Sequence, residues 1–532
     1  MKRIAVGLLL SFSFFLMAGV LLTETEGFGA STEKKGTAVR PDEDLQVDVL
    51  VIGGGGGGLA AAAAAKGKLG DSGRVLIVEK RSVTGGNSIN WSVPISAPGT
   101  GRGMPGGQDA DADPQSIADS QFKTIIDWNH WRVDALLVRR LTSASQDNAE
   151  WLLGLLSEKE REKLLSSVSG PMSRSENSEP YSVFMTRLCR NLGVEIMTDT
   201  KGTKLLMDKS GAVIGALAEG KEKDFKISAD AVIIATGGFI GNAELMKKFY
   251  HPYDDDFYDE VYIVGNKYTG DGILMAADVG ASVDATVSFE SCMKPIPWEV
   301  SPGSLRRFIE RGGEYIRVDA RGLRFVDESA SHAHNARHQL IGRIHYLVFD
   351  ENIKEHIINK QASGSAGGPM AGLPGGGVQS YDTIDDDIQK QIDKGYAIKA
   401  NNIDELAQLI GCDPEVLKGT IKDYNGFCEK GYDDDLLKPS EYLVPLNKQP
   451  YYAIRNKLAI LLTHGPLRVS TEMEVVDTDY NPIPGLYAAG ADIGGTENDT
   501  YAHLAAHSST WTMTSGRIAG ENAVDYSRDK RK

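Results

Sequence analysis

Apolar and polar positions along residues 47–79 spell out one supersecondary unit. Val47, Val49, Leu50, Val51 and Ile52 form a β-branched apolar run, the pattern of a buried strand. Six glycines, 53–58, follow it, and then Leu59 and six alanines, 60–65, the residue with the highest helix propensity. Arg74, Val75, Leu76, Ile77 and Val78 read as a second buried strand that ends at Glu79. Two later apolar runs also end in glycines: "ADAVIIATGGFIGN" (229–242) and "GLYAAGADIGG" (485–495). Residues 386–421 alternate amphipathic helical patterns, and Asp413-Pro414 marks a helix start. The glycine- and proline-rich stretch 364–380 reads as a flexible segment, with a lid as the functional alternative.

The order strand, turn, helix, strand gives the glycines a purpose, since glycine in a regular element costs backbone entropy. Gly53, Gly55 and Gly58 fit G-x-G-x-x-G. The first permits the turn, the second lets backbone approach a pyrophosphate, and the third lets helix pack closely on strand. Gly54, Gly56 and Gly57 are surplus to that template. The ligand's negative charge sits at the helix N-terminus, where free amides and the dipole favour an anion. Glu79 falls 21 residues after Gly58, where an acid accepts from a ribose hydroxyl. The motif alone does not separate NAD from FAD.

Composition narrows the class. The chain has 532 residues, 41% of them hydrophobic and 24% charged, which suits a globular protein of two or three domains. A net charge of −16 argues against nucleic acid as a partner. Lys2 and Arg3 precede an uncharged apolar run from Ile4 to Leu22, followed by small residues at Gly27, Gly29 and Ala30. That is the plan of an export signal over residues 1–30, with an uncleaved anchor as the alternative because the run has 19 residues. No twin-arginine pair is present, so the general secretory route and a periplasmic or cell-envelope location are expected. Cys189, Cys292, Cys412 and Cys428 form no C-x-x-C, haem-attachment or cluster spacing. Electrons therefore come from a separate protein.

The set "GGGGGGLAAA", "VEK…GGNS", "VIIATGGF", "TGDGILMAADVGA", "RGLRFVDES", "GCDPEVLKGTIKDYNGFCEKG" and "IPGLYAAG…TSGRIAGENA" resembles the flavoprotein superfamily of soluble fumarate reductases, urocanate reductases and 3-ketosteroid dehydrogenases. The resemblance covers nearly all of the chain after the signal. It implies an α/β fold in which a two-part, Rossmann-like FAD-binding domain (46–288 and 464–532) carries an inserted α+β capping domain (289–463). It also implies a cofactor site of Gly53, Gly55, Gly58, Glu79, Lys80, Gly86, Asn87, Ser88, Thr236, Gly237, Gly238, Asp271, Gly490 and Asp492, with Asp492 where relatives place Glu. Membrane-complex relatives attach FAD to a histidine soon after the second strand. Residues 80–95 contain none, so FAD is expected to bind non-covalently.

The resemblance further implies hydride transfer at flavin N5, with a side chain moving a proton at the adjacent carbon. Where fumarate reductases carry their proton-donating arginine, four residues after Glu328, this chain has His332. Arg337 and Arg311 are rivals, and Arg311 lacks the family's preceding glutamate, which is Phe308 here. The arginine that grips a fumarate carboxylate is missing from 494–510, and Tyr501 and His503 occupy its neighbourhood. Losing a guanidinium–carboxylate pair disfavours a dicarboxylate by several kcal/mol. Tyr501 matches the tyrosine that polarises the ketone in 3-ketosteroid dehydrogenases, and His464 falls near a substrate-binding histidine of fumarate reductases. The catalytic set is therefore His332, Tyr501, Arg311, His503 and His464. The expected activity is reduction of an activated C=C bond, in an enone or aryl acrylate, with electrons from a cytochrome or membrane-linked donor. Two alternatives remain: introduction of a C=C bond, and electron carriage without turnover. His334 and His338, four apart, fit a solvated helix face, and no metal site is expected.

Overall fold

A computed structural model describes residues 41–90, 113–167, 180–250, 267–295, 305, 308–309, 312–330, 344–362, 381–498 and 507–532. Residues 1–30, 331–338 and 364–380 lie outside these, as do Arg311, Tyr501 and His503.

Thirteen strands are described, in two sheets. The first sheet takes β1 (Glu43–Ile52), β2 (Val75–Val78), β3 (Glu195–Met197), β4 (Thr200–Met207), β5 (Val213–Gly220), β6 (Asp224–Ile234), β12 (Glu474–Val476) and β13 (Pro482–Ala488). Its order is β12-β13-β6-β1-β2-β3, with the β4–β5 hairpin joined to β6. β13, β6, β1, β2 and β3 run parallel, so their carboxyl ends share one edge, where an open α/β sheet binds its ligand. Val49, Leu50, Val51 and Ile52 are at most 3% exposed, as expected of a strand covered on both faces.

The alanine run explains how that cover is packed. The helix Gly56–Leu69 is buried on all sides from Gly56 to Lys66, and the C-terminal helix His507–Lys530 lies against it. A Cβ at Gly516 would stand 2.3 Å from the carbonyl oxygen of Gly57, and one at Gly520 would stand 2.2 Å from that of Ala61. Small residues on both helices permit backbone contact, which larger side chains would prop apart.

The second sheet is antiparallel: β7 (Ser288–Pro295), β8 (Ile316–Asp319), β9 (Ile344–Asp350), β10 (Ala397–Ala400) and β11 (Tyr451–His464). β11 is its spine, pairing with β9 and β10 near Tyr451 and with β7 from Asn456 to His464. This brings His464 down to the first sheet's ligand edge. The helix Pro414–Lys430 begins as the Asp-Pro pair predicts, with Asp413 accepting from Glu415 N at 2.9 Å.

Behind the second sheet lies a buried charge cluster. Glu328 pairs with Arg324 (2.9 Å) and Lys438 (3.1 Å), and Arg324 also pairs with Asp433 (2.8 Å). Burial favours a neutral Glu328, but Lys438 and Arg324 outweigh it and hold its pKa below the usual value.

Candidate functional site

A cleft of about 950 Å³, part of it open to solvent, crosses the carboxyl ends of β2, β1, β6 and β13. Its floor is backbone. Gly53 has φ +111°, and a Cβ there would stand 2.2 Å from the carbonyl oxygen of Ala235. A Cβ on Gly58 would stand 1.9 Å from the Gly53 carbonyl oxygen, whereas Gly55 faces open space. Gly55 is the N-cap of the helix Gly56–Leu69, with no side-chain cap and no acid in the first turn, so that turn's amides remain to meet an anion.

The glycines that the sequence template leaves surplus are fixed by distant neighbours. A Cβ on Gly54 would stand 2.9 Å from Thr84, one on Gly56 3.0 Å from Ser88, and one on Gly57 3.3 Å from Gly490. Gly56 and Gly57 also line the cleft.

At the β2 end, Glu79 accepts from Gly54 N (2.8 Å) and Arg81 N (2.9 Å), pinning the turn to the strand tip. Lys80 reaches Asp271 (2.8 Å) and Thr269 (2.9 Å), and Lys201 reaches Asp271 from β4 (3.1 Å). Burial pushes the Asp271 carboxyl up, and the two lysines more than reverse it, so its pKa lies below the ordinary value. Gly86, Asn87, Ser88, Thr236, Gly237 and Gly490 complete the wall, together with Tyr268, Lys201 and Arg81.

Gly58, Gly238 and Asp492 are not among the lining residues; they hold the wall from behind. Asp492 is fully buried and accepts from Gly238 N (2.8 Å), Gly237 N (3.2 Å), Thr236 Oγ1 (3.1 Å) and Thr236 N. Burial raises its pKa against the pull of those donors. The carboxylate thereby clamps the tip of β6 to the turn after β13.

The opposite end of the cleft carries His464 and Ser508. Ser508 Oγ is 3.4 Å from His464 Nε2, and the buried Glu497 carboxylate is 4.0 Å from the same nitrogen. His464 is thus the sole member of the expected catalytic set within the described residues, since His332, Arg311, Tyr501 and His503 lie outside them. Sequence reasoning missed Lys201, Tyr268 and Glu497, which carry no local signature. The four-residue spacing of Gly516 and Gly520 was a readable signal of helix contact.

A bare glycine cradle, an uncapped helix N-terminus and an acid at the β2 tip fit a dinucleotide. A profile described as FAD binding domain matches residues 48–506. The chain belongs to that FAD-binding family. It is 28% identical to the vinyl phenol reductase of Lactiplantibacillus plantarum over 77% of this chain and 84% of that protein. It is also 28% identical to a probable fumarate reductase, Ifc3, of Shewanella frigidimarina, over 95% and 79%. A solved 3-ketosteroid delta1-dehydrogenase from Sterolibacterium denitrificans superposes with TM-score 0.69 at 17% identity, covering 90% of this chain and 99% of that one. At that identity the likeness shows the fold. The FAD-binding family and its relatives place the chain among FAD-dependent oxidoreductases acting on C=C bonds.

Proposed function

We propose that the protein is an exported, FAD-dependent reductase of an activated C=C bond, in an enone or aryl acrylate rather than fumarate. The observation that carries this is the flavin end of the cleft. Among the described lining residues the one arginine, Arg81, stands at the tip of β2, while the far end offers His464 and Ser508. A dicarboxylate buried there without guanidinium partners would be disfavoured by several kcal/mol. The name of the L. plantarum relative points the same way, to an aryl alkene.

Residues 53–58 and the helix behind them hold the diphosphate, Glu79 the ribose, and residues 86–88, 236–237 and 490 the flavin, without a covalent bond. When bound, FAD supplies the hydride that passes to one alkene carbon. The chain's own tasks are to grip the electron-withdrawing group, to exclude water with residues 289–463, and to protonate the neighbouring carbon. His332 is assigned that proton, and His332→Ala would then slow the chemical step on the order of 10²-fold with flavin still bound. Electrons arrive from a cytochrome or membrane-linked donor, and residues 1–30 direct export. Among the described residues no helix is long and apolar enough to cross a membrane; residues 4–22 are not among them.

The test is anaerobic. Photoreduced protein is mixed with fumarate, urocanate, cinnamates and steroid enones while flavin absorbance is followed. Reoxidation by a cinnamate or enone supports the reading, and rapid reoxidation by fumarate refutes the substrate argument. Tyr501 favours a second reading, introduction of a C=C bond; bleaching of oxidised flavin by saturated ketones, with no response to any alkene, would establish it.

A further inference from the structure

One side chain reaches across the cleft from the β6 side to the β2 side. Tyr268 is 9% exposed and lines the cleft. A Cβ at Gly237, beyond β6, would stand 2.9 Å from its ring, and one at Gly86, beyond β2, would stand 3.8 Å from its hydroxyl. Glycines thus leave room at both ends of the side chain. The residue is held from behind, since its carbonyl accepts from Gly241 N at 2.6 Å and the next residue, Thr269, accepts from Lys80 at 2.9 Å. The hydroxyl, by contrast, has no hydrogen-bond partner among the described residues. A buried tyrosine O–H ordinarily finds one.

The position of the hydroxyl decides which partner it suits. The same Cβ site at Gly86 is 3.4 Å from Gly55 Cα, so Tyr268 Oη lies at most about 7 Å from the residue that caps the helix Gly56–Leu69, a gap that a phosphate group closes with a hydrogen bond on each side. We infer that Tyr268 is a cofactor-binding residue whose hydroxyl donates to a phosphate oxygen of the dinucleotide, joining the first-turn amides of that helix.

Other side-chain donors along this stretch are already engaged. Ser88 Oγ donates to the Gly85 carbonyl (2.5 Å), Thr236 Oγ1 to Asp492 (3.1 Å), and Lys80 and Lys201 pair with Asp271. Arg81 is half-buried and Lys267 exposed, so they bring charge to the rim without replacing a buried donor. Burial raises the pKa of the phenol, while Arg81 pulls it down and Glu79 pushes it up. The net rise keeps on the hydroxyl the proton it has to donate.

The contact rests on the reading of residues 53–58 as the diphosphate cradle, and a ligand series keeps the two separable. Apoprotein and its Tyr268→Phe variant are titrated calorimetrically with FAD, ADP and adenosine, and their melting temperatures are measured without ligand. Removing a hydroxyl that has no partner leaves the ligand-free melting temperature unchanged or slightly higher. FAD and ADP lose about 10- to 100-fold in affinity, the range of a hydrogen bond to a charged acceptor, and adenosine loses nothing. Equal FAD and ADP affinities in the two proteins, or an equal loss for adenosine, overturns the assignment. A lowered ligand-free melting temperature also overturns it, because that marks a structural hydroxyl. If wild-type protein takes up neither FAD nor ADP, the cradle itself fails and the contact falls with it.

Discussion

Replacing Gly516 by alanine is predicted to weaken FAD binding from a position that does not line the cleft. The added Cβ would stand 2.3 Å from the Gly57 carbonyl oxygen and 2.9 Å from the Ala60 Cβ, on the buried face between two helices. The nearer atom is backbone, so no rotamer relieves the clash. Ordinary contact begins at 3.4 Å, and the helices must part by roughly 1 Å, with an overpacking cost of about 1–3 kcal/mol. Gly57 lines the cleft and packs against Gly490, so the displacement falls on the amides proposed to cradle the diphosphate. If that strain is charged to the bound state, FAD affinity drops about 10- to 100-fold. The assay is flavin fluorescence on titration of apoprotein, paired with thermal unfolding. Gly419→Ala is the control, because it sits inside the helix Pro414–Lys430 with open space where its Cβ would go, and about 1 kcal/mol of added stability is expected from helix propensity. A Gly516→Ala protein with wild-type FAD affinity and melting temperature would refute the account of the glycine contact.

Three further outcomes follow from the same structure. Glu79→Gln exchanges one acceptor oxygen for a donor, which leaves the buried amide of Gly54 or that of Arg81 without its partner; at about 1–3 kcal/mol per unmet group, FAD binding by equilibrium dialysis weakens roughly 10- to 100-fold. Lys438→Met removes one of the two cations on buried Glu328 and costs about 3–5 kcal/mol in urea unfolding, and adding Glu328→Gln to that variant recovers part of the loss. Glu328, Asp433 and Asp271 all have lowered native pKa values, Glu328 because Lys438 and Arg324 outweigh burial. Their contribution to stability is present above the ordinary carboxylate range and is lost as the pH falls through the native values. A pH series of melting temperatures that stays flat on acidification would contradict it.

What the sequence shows plainly is what short-range geometry dictates. The apolar runs at 47–52 and 75–78 are strands because both faces are covered, and the third glycine of the template is required by the Gly53 carbonyl within the same strand–turn–helix unit, whereas the first is required by Ala235, more than 180 residues away, and is legible only through the motif. Asp413 caps its helix through an amide two residues on, so it too is readable. Gly57 is not readable, because its neighbour Gly490 lies more than 400 residues away in sequence and meets it only when the sheet is assembled. Lys201 and Tyr268 enter the cleft from a hairpin strand and a helix approach with no motif of their own. The charge cluster of Arg324, Glu328, Asp433 and Lys438 spans segments about 100 residues apart, and only its Arg324–Glu328 pair sits at a recognisable spacing.

These long-range contacts divide the labour within the cleft. The glycine floor and the Asp492 clamp are built from backbone amides, glycines and one fully buried carboxylate, so almost any side-chain change there disturbs the shape of the cleft. At the other end the wall carries the side chains of His464 and Ser508, with Glu497 behind them, on the last residue of a strand, the first turn of a helix and a turn. Those positions exchange charge without moving the sheet. A family can therefore keep its cofactor while its substrate changes, and a variant that places a guanidinium in the cleft beside His464 should gain affinity for dicarboxylates with FAD binding intact. Gain of fumarate-driven flavin reoxidation in Ser508→Arg, against none in the parent, is the expected outcome, since Ser508 lines the cleft next to His464. Loss of FAD in that variant would show that cofactor and substrate ends are mechanically coupled, contrary to the division argued from Asp492 and His464.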